Sequence, residues 1–236
     1  MNSVKLYLIP TLLGNDDFER SIPKWNLEII NSIHVFVVEN EKSARKFIKT
    51  VLPEKKQSEL EIHLLDKNTT ESELAELRKL LSGNQNIGIL SEAGLPAVAD
   101  PGARLVRSAH KKNVEVIPLV GPSSILLALM ASGMNGQQFT FHGYLPIDKL
   151  ERKKVVQKLE ADSRNNSCTQ IFMETPYRNN QLVEDLVKIC QPSTLLCVAC
   201  NLTMEDEFIS TKPIRDWAQK KTDFHKKPAI FLLESN

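Results

Sequence analysis

The chain has 236 residues, 42% of them apolar and 25% charged, with a formal net charge of +1. That is ordinary globular composition, with length enough for one large or two small cores and no bulk charge to draw it onto nucleic acid or membrane. No stretch reaches the length of a transmembrane helix, and Met1-Asn2-Ser3-Val4-Lys5 lacks a signal-peptide layout, so a cytoplasmic protein without membrane contact is expected.

In chain order, Leu6-Tyr7-Leu8-Ile9 reads as a first buried strand, ended by Pro10-Thr11-Leu12-Leu13-Gly14-Asn15. Pro23 suits the first turn of a helix carrying Trp25, Ile29 and Ile30. Val35-Phe36-Val37-Val38 is a second strand, closed by Glu39-Asn40-Glu41 and followed by a helix with Ala44, Phe47, Ile48 and Val51. Ile62-His63-Leu64-Leu65 is a weaker third strand, and Thr70 with Glu73 forms a capping box for a Leu-rich helix. A fourth strand, Ile87-Gly88-Ile89-Leu90, feeds the long loop Ser91-Glu92-Ala93-Gly94-Leu95-Pro96-Ala97-Val98-Ala99-Asp100-Pro101-Gly102 and then a helix. Small residues let backbone approach a ligand, and loops at the carboxyl ends of parallel strands line the ligand crevice of open α/β sheets. A fifth strand, Val114 to Leu119, completes an alternation that predicts a mostly parallel sheet with helices on both faces.

Gly121-Pro122-Ser123-Ser124 repeats the small-residue theme before an apolar helix from Ile125 to Ala131; the two serines can cap that helix or face a ligand at its N-terminus. The remainder has fewer helices per strand: Phe139 to Pro146, a basic helix from about Asp148 to Ala161, a strand at Gln170 to Met173, a helix at Leu182 to Ile189, and strands at Leu195 to Ala199 and Ala229 to Leu233. Asn201 to Glu207 reads as a polar turn. This predicts two α/β domains, residues 1–117 with a mostly parallel sheet and residues 118–236 with a mixed one. The run Lys149, Arg152, Lys153, Lys154, Lys158 reads first as a solvated helix face, with RNA contact as the lesser alternative.

No Walker A, G-x-S-x-G, H-E-x-x-H or G-x-G-x-x-G sequence is present, which leaves phosphate cradling and standard dinucleotide binding unsupported. Cys197 and Cys200 lie three apart in a strand-like run and so point to opposite faces, and no neighbouring His completes a metal set. With Cys168 and Cys190 they read as reduced packing thiols, and no metal is expected. Neutral loops of this kind suit a bulky, largely apolar ligand with a few polar groups.

Six segments in register resemble the tetrapyrrole (corrin/porphyrin) methylase superfamily, and within it the branch that 2′-O-methylates a cytidine of small-subunit ribosomal RNA. They are Leu6 to Thr11 with Gly14-Asn15, Ser91 to Pro96 through Asp100-Pro101-Gly102, Gly121 to Ser124, Gly143 to Pro146 with Arg152, Glu174-Thr175-Pro176-Tyr177-Arg178, and Leu202-Thr203. The resemblance implies a two-domain α/β enzyme that binds S-adenosylmethionine in a cleft between domains, as a homodimer. It implies cofactor contacts from Leu13, Leu95, Val98, Ser123, Ser124, Met173, Asn201, Leu202, Pro228 and Ala229. For a ribose hydroxyl acceptor, Glu39, Glu92 and Glu174 are candidate bases and Arg178 a candidate anion holder, although each glutamate equally suits a surface or ion-pair role. The chain departs from that branch at Asn40-Glu41-Lys42, where an acid and Thr-Arg are usual, at Glu92 and Leu95 for Asp and Thr, and at Cys200-Asn201 for Arg-Glu. Two alternatives stay open: a tetrapyrrole or other small-molecule acceptor, and a binding protein of the same fold that has lost turnover.

Overall fold

A computed structural model describes residues 4–14, 17–219 and 222–235. Asn15 of the opening segment therefore lies outside the described residues. The chain divides into two compact units, Met1–Ser123 and Ser124–Asn236.

The first unit holds β1 (Lys5–Ile9), α1 (Phe18–Ser21), α2 (Lys24–Ser32), β2 (Val35–Val38), α3 (Glu41–Val51), β3 (Glu61–Leu64), α4 (Glu71–Leu80), β4 (Ile87–Leu90), α5 (Ala103–Lys111) and β5 (Glu115–Pro118). The strands lie in the order β3-β2-β4-β1-β5 and every pairing is parallel. Parallel sheets need cover on both faces, which is why β2 and β4 are buried at every position. Ile30, Phe47, Ile48 and Val51 from α2 and α3 cover one face. Leu74, Leu77, Leu105 and Ala109 from α4 and α5 cover the other. The Thr70–Glu73 capping box forms. Pro23 stands one residue earlier than expected, as the N-cap of α2. Asn40 caps α3 by accepting from Ser43 N at 3.0 Å, so its place in the second-strand motif is filled by a residue as good at capping as an acid.

The second unit comprises α6 (Ser124–Ser132), β6 (Phe139–Tyr144), α7 (Lys149–Asn166), β7 (Thr169–Met173), α8 (Asn179–Ile189), β8 (Leu195–Cys200), β9 (Phe208–Pro213), α9 (Ile214–Trp217) and β10 (Ala229–Glu234). Its sheet is mixed, in the order β6-β7-β10-β8-β9, with only β6 and β7 parallel. The core gathers Phe172, Leu196, Val198, Phe231 and Leu233 of the sheet with Val156 and Leu159 of α7 and Leu182 and Leu186 of α8. β9 and α9 have no counterpart in the sequence reading. β9 is an edge strand, Phe-Ile-Ser-Thr-Lys-Pro, whose polar half erases the apolar alternation on which such a reading depends. The four cysteines are unpaired, and burial pushes the thiols of Cys190 and Cys200 up to about 12, which keeps them protonated and inert. Among the described residues no helix is long and apolar enough to cross a membrane.

Candidate functional site

Because the first unit's strands run parallel, the loops after β1, β2, β4 and β5 leave from one edge of its sheet. Thr11 stitches the first and third of these together, and Ser91 braces the third from within. Thr11 N donates to Gly94 O at 3.0 Å, Thr11 Oγ1 donates to Ser91 O at 3.3 Å, and Ser91 Oγ donates to Gly94 O at 2.6 Å. Thr11 and Ser91 are buried, so these bonds form away from competing water.

Glycine is required at the centre of this clasp. Gly94 has φ +73°, and a Cβ there would stand 3.0 Å from Leu13 Cδ2 and 3.1 Å from the Pro122 carbonyl oxygen. Leu13, Gly94 and Pro122 thus converge from three loops, and half-buried Leu95 and Ser123 adjoin them in the chain. Gly121 is tighter still, since a Cβ would fall 2.3 Å from Pro10 Cβ. The loop after β5 is also held by Asn26, fully buried on α2, whose Nδ2 donates to Val120 O at 2.8 Å. In the sequence Asn26 sits inside a helical pattern, marked only by its polarity at a core-facing position.

The rest of the Ser91–Gly102 loop is shaped by Asp100. Its Oδ1 accepts from Gly102 N at 2.6 Å and Ala97 N at 3.2 Å. These bonds hold a segment in which Ala97 and Ala99 both adopt left-handed backbone, with φ 65° and 56°. Non-glycine residues enter that region at a cost, and such strain is retained where the surroundings fix it. Val98 between them is exposed.

At the same edge lie the carboxylates. Burial, then Asp100, Glu92 and Asp66, push the Glu39 carboxyl above its ordinary value. Burial likewise raises Asp100, against the pull of its two backbone N–H donors. Glu92 is exposed and accepts from Ser43 Oγ at 3.4 Å, in the first turn of α3.

In the second unit, sheet register brings Met173, Asn201, Pro228 and Ala229 to one end. Ile230 pairs with Met173, Ala229 pairs with Cys200, and Asn201 N donates to Pro228 O at 3.0 Å. Asn201 has φ 50° and its Nδ2 donates to Asp206 Oδ2 at 2.7 Å. Asn201, Leu202 and Ala229 are buried while Met173 is half-buried and Pro228 exposed. The first three therefore offer a ligand backbone more than side chain. Ser124 opens α6. Glu174 is buried and already occupied: its Oε1 accepts from Arg178 Nε at 3.0 Å and from Thr175 N at 2.6 Å. Tyr144, exposed at the end of β6, pairs in register with Met173. Among the described residues no group of three or more His, Cys, Asp or Glu side chains could hold a metal ion.

Residues 5–218 match the family of Tetrapyrrole (Corrin/Porphyrin) Methylases. A protein of Vibrio cholerae named "Ribosomal RNA small subunit methyltransferase I" is 31% identical over 97% of this chain and 76% of its own length. One of the same name in Escherichia coli O157:H7 is 27% identical, over 98% of this chain and 78% of its own. The crystal structure of the methyltransferase CobJ superposes with a TM-score of 0.65 over 100% of this chain and 95% of that one, at 17% identity, a likeness of fold. The chain belongs to the tetrapyrrole (corrin/porphyrin) methylase family, methyltransferases whose donor is S-adenosylmethionine, and within it groups with the relatives named ribosomal RNA small subunit methyltransferase I.

Proposed function

We propose that the chain methylates small-subunit ribosomal RNA at a ribose 2′-hydroxyl, acting as a homodimer in the cytoplasm. The observation that carries this reading is the convergence of Leu13, Gly94 and Pro122 at the carboxyl edge of a parallel sheet, with no Cβ at the meeting point. Loops that are neutral and rich in small residues at this edge suit the adenosine and thioether of S-adenosylmethionine. When bound, the donor supplies an activated methyl group on a sulfonium.

Leu13, Leu95, Val98 and Ser123 of the first unit, with Ser124, Met173, Asn201, Leu202, Pro228 and Ala229 of the second, are assigned to donor binding. Apolar side chains enclose the nucleoside, and loop amides and serine hydroxyls bind its polar edges. Displacement at a sulfonium has a good leaving group, so placement of the acceptor supplies much of the rate. Glu39 is assigned as the base that takes the ribose hydroxyl proton. A carboxyl held above its ordinary range by burial and neighbouring carboxylates is better matched to that task. Glu92 supports it as a charged neighbour. Glu174 and Arg178 satisfy each other and shape the loop after β7.

The test is transfer of labelled methyl from S-adenosylmethionine into small ribosomal subunits from cells lacking the protein, with the modified atom mapped in the RNA. Incorporation at a ribose oxygen supports the reading. A protein stabilised by S-adenosylhomocysteine that labels only a tetrapyrrole or other small molecule refutes the acceptor, and one that labels nothing refutes turnover.

A further inference from the structure

We infer that the exposed face of α7, with the Tyr144–Ile147 segment leading into it, is the surface on which the RNA strand docks; this rests on the reading of the acceptor as RNA. Lys149, Lys153, Lys154 and Lys158 are all exposed. Lys149 with Lys153, and Lys154 with Lys158, stand four apart, so each pair sets like charges one above the other on the helix. Such spacing destabilises a helix rather than supporting it. Among the described residues no lysine of the four forms an ion pair. The acids nearby do not neutralise the row: Asp148 is spent as the N-cap, accepting from Leu150 N and Glu151 N, while Glu151 and Asp162 are left against four cations.

The helix keeps this arrangement because its other face is firmly bound. Arg152, in the midst of the lysines, turns inward, and its Nε and Nη2 donate to buried Asp185 at 3.1 and 2.6 Å. Its Nη1 donates to the carbonyls of Pro146 and Ile147 at 3.0 and 2.7 Å. The one arginine of the run is thus structural, and it fixes the segment that displays Tyr144, Ile147 and Leu150, exposed by 60%, 72% and 72%. An exposed aromatic in the segment leading into a helix with rows of unpaired lysines offers what single-stranded RNA binds: a stacking platform and cations for its phosphates. Tyr144 is the register partner of Met173, so this face begins at the end of the sheet to which Met173, Asn201 and Ala229 belong. A strand lying along α7 with one base on Tyr144 reaches that end.

The test combines Lys153→Gln, Lys154→Gln and Lys158→Gln in one variant, with Tyr144→Ala and Tyr144→Phe separately. Binding to protein-free small-subunit RNA is measured against salt, alongside KM and kcat with intact subunits and stabilisation by S-adenosylhomocysteine. The triple variant is expected to bind RNA on the order of tenfold more weakly, with a log–log salt slope reduced by about 2 to 3. Its KM for subunits should rise in step, with kcat and donor binding kept. Tyr144→Ala should weaken RNA binding about fivefold or more and Tyr144→Phe should restore it. Wild-type RNA affinity and slope in the triple variant overturn the inference alone, provided the parent protein labels RNA. A defect toward intact subunits with normal binding of protein-free RNA assigns the face to a ribosomal protein and overturns it also. A parent protein that binds S-adenosylhomocysteine but no RNA overturns both this inference and the acceptor on which it rests.

Discussion

The functional edges of the two units are fastened by different chemistry. In the first, the bonds from loop to loop are neutral: Thr11 ties two loops together, Asn26 holds a third, and Gly94 and Gly121 allow close approach, while the Asp100 carboxylate shapes one loop from within. Glu39 lies outside that framework, and Glu92 accepts from Ser43 Oγ in α3. In the second, ion pairs fasten: Arg152 with Asp185, Arg178 with Glu174, and Lys227 with Asp206. A charged residue in a motif of the second unit is therefore a poor guide to chemistry, because its charge is consumed by scaffolding. In the first unit Asp100 is likewise consumed by scaffolding, and Glu39 is the edge carboxylate that the loops do not use.

The sharpest way to break this contrast is to attack the most deeply buried fastening in the second unit. Arg152→Met leaves Asp185, 2% exposed, as an unpaired charge and also frees two carbonyls. A loss of about 3–5 kcal/mol is expected in denaturant unfolding, partly recovered in the double variant Arg152→Met with Asp185→Leu. If the single variant unfolds like the parent, the pair is not a fastening. Next in size is Gly121→Ala, whose new methyl collides with the Pro10 ring. Overpacking of that kind costs about 1–3 kcal/mol. Because the loop must move away, affinity for S-adenosylhomocysteine should fall more than the stability loss alone explains; an unchanged affinity would count against the donor assignment.

The neutral clasps predict smaller and separable effects. Thr11→Val and Asn26→Leu each remove the side-chain hydrogen bonding to a loop, to Ser91 and to the Val120 carbonyl respectively, worth about 1 kcal/mol per bond. Thr11→Ser, which keeps the hydroxyl, should restore stability and donor KM together. These residues also mark how far the sequence could be read. β1, β2 and β4 are legible as short apolar runs, while β3 and β5, which carry Glu61, His63 and Glu115, are legible through the alternation of strand with helix. The loops Ser91 to Gly102 and Gly121 to Ser124 stood out through glycine and proline. What escaped was long-range: nothing local to Asn26 announces a bond to Val120, 94 residues on. Likewise Arg152 looks like a member of a lysine face until Asp185 is placed behind it. β9 escaped because an edge strand in a mixed sheet need not alternate cleanly.

The smallest expected effect concerns Glu39 and its neighbour Glu92, and its sign distinguishes chemistry from structure. Glu39 is raised by burial and by Asp100, Glu92 and Asp66, so the folded protein holds its proton to higher pH than the unfolded chain does. Between the ordinary glutamate value and the raised one the native state binds more protons, and the stability contribution of Glu39 declines as pH rises. Catalysis by the carboxylate runs the other way, its rate climbing through the same window as the base ionises. Glu92→Gln removes one like charge, lowers the Glu39 pKa and should move the acid limb of kcat/KM to lower pH. Glu39→Gln should abolish that limb and lower kcat while S-adenosylhomocysteine binding persists, and should flatten the decline in stability. An acid limb that survives Glu39→Gln unchanged assigns the base to another group, whatever the stability curve does.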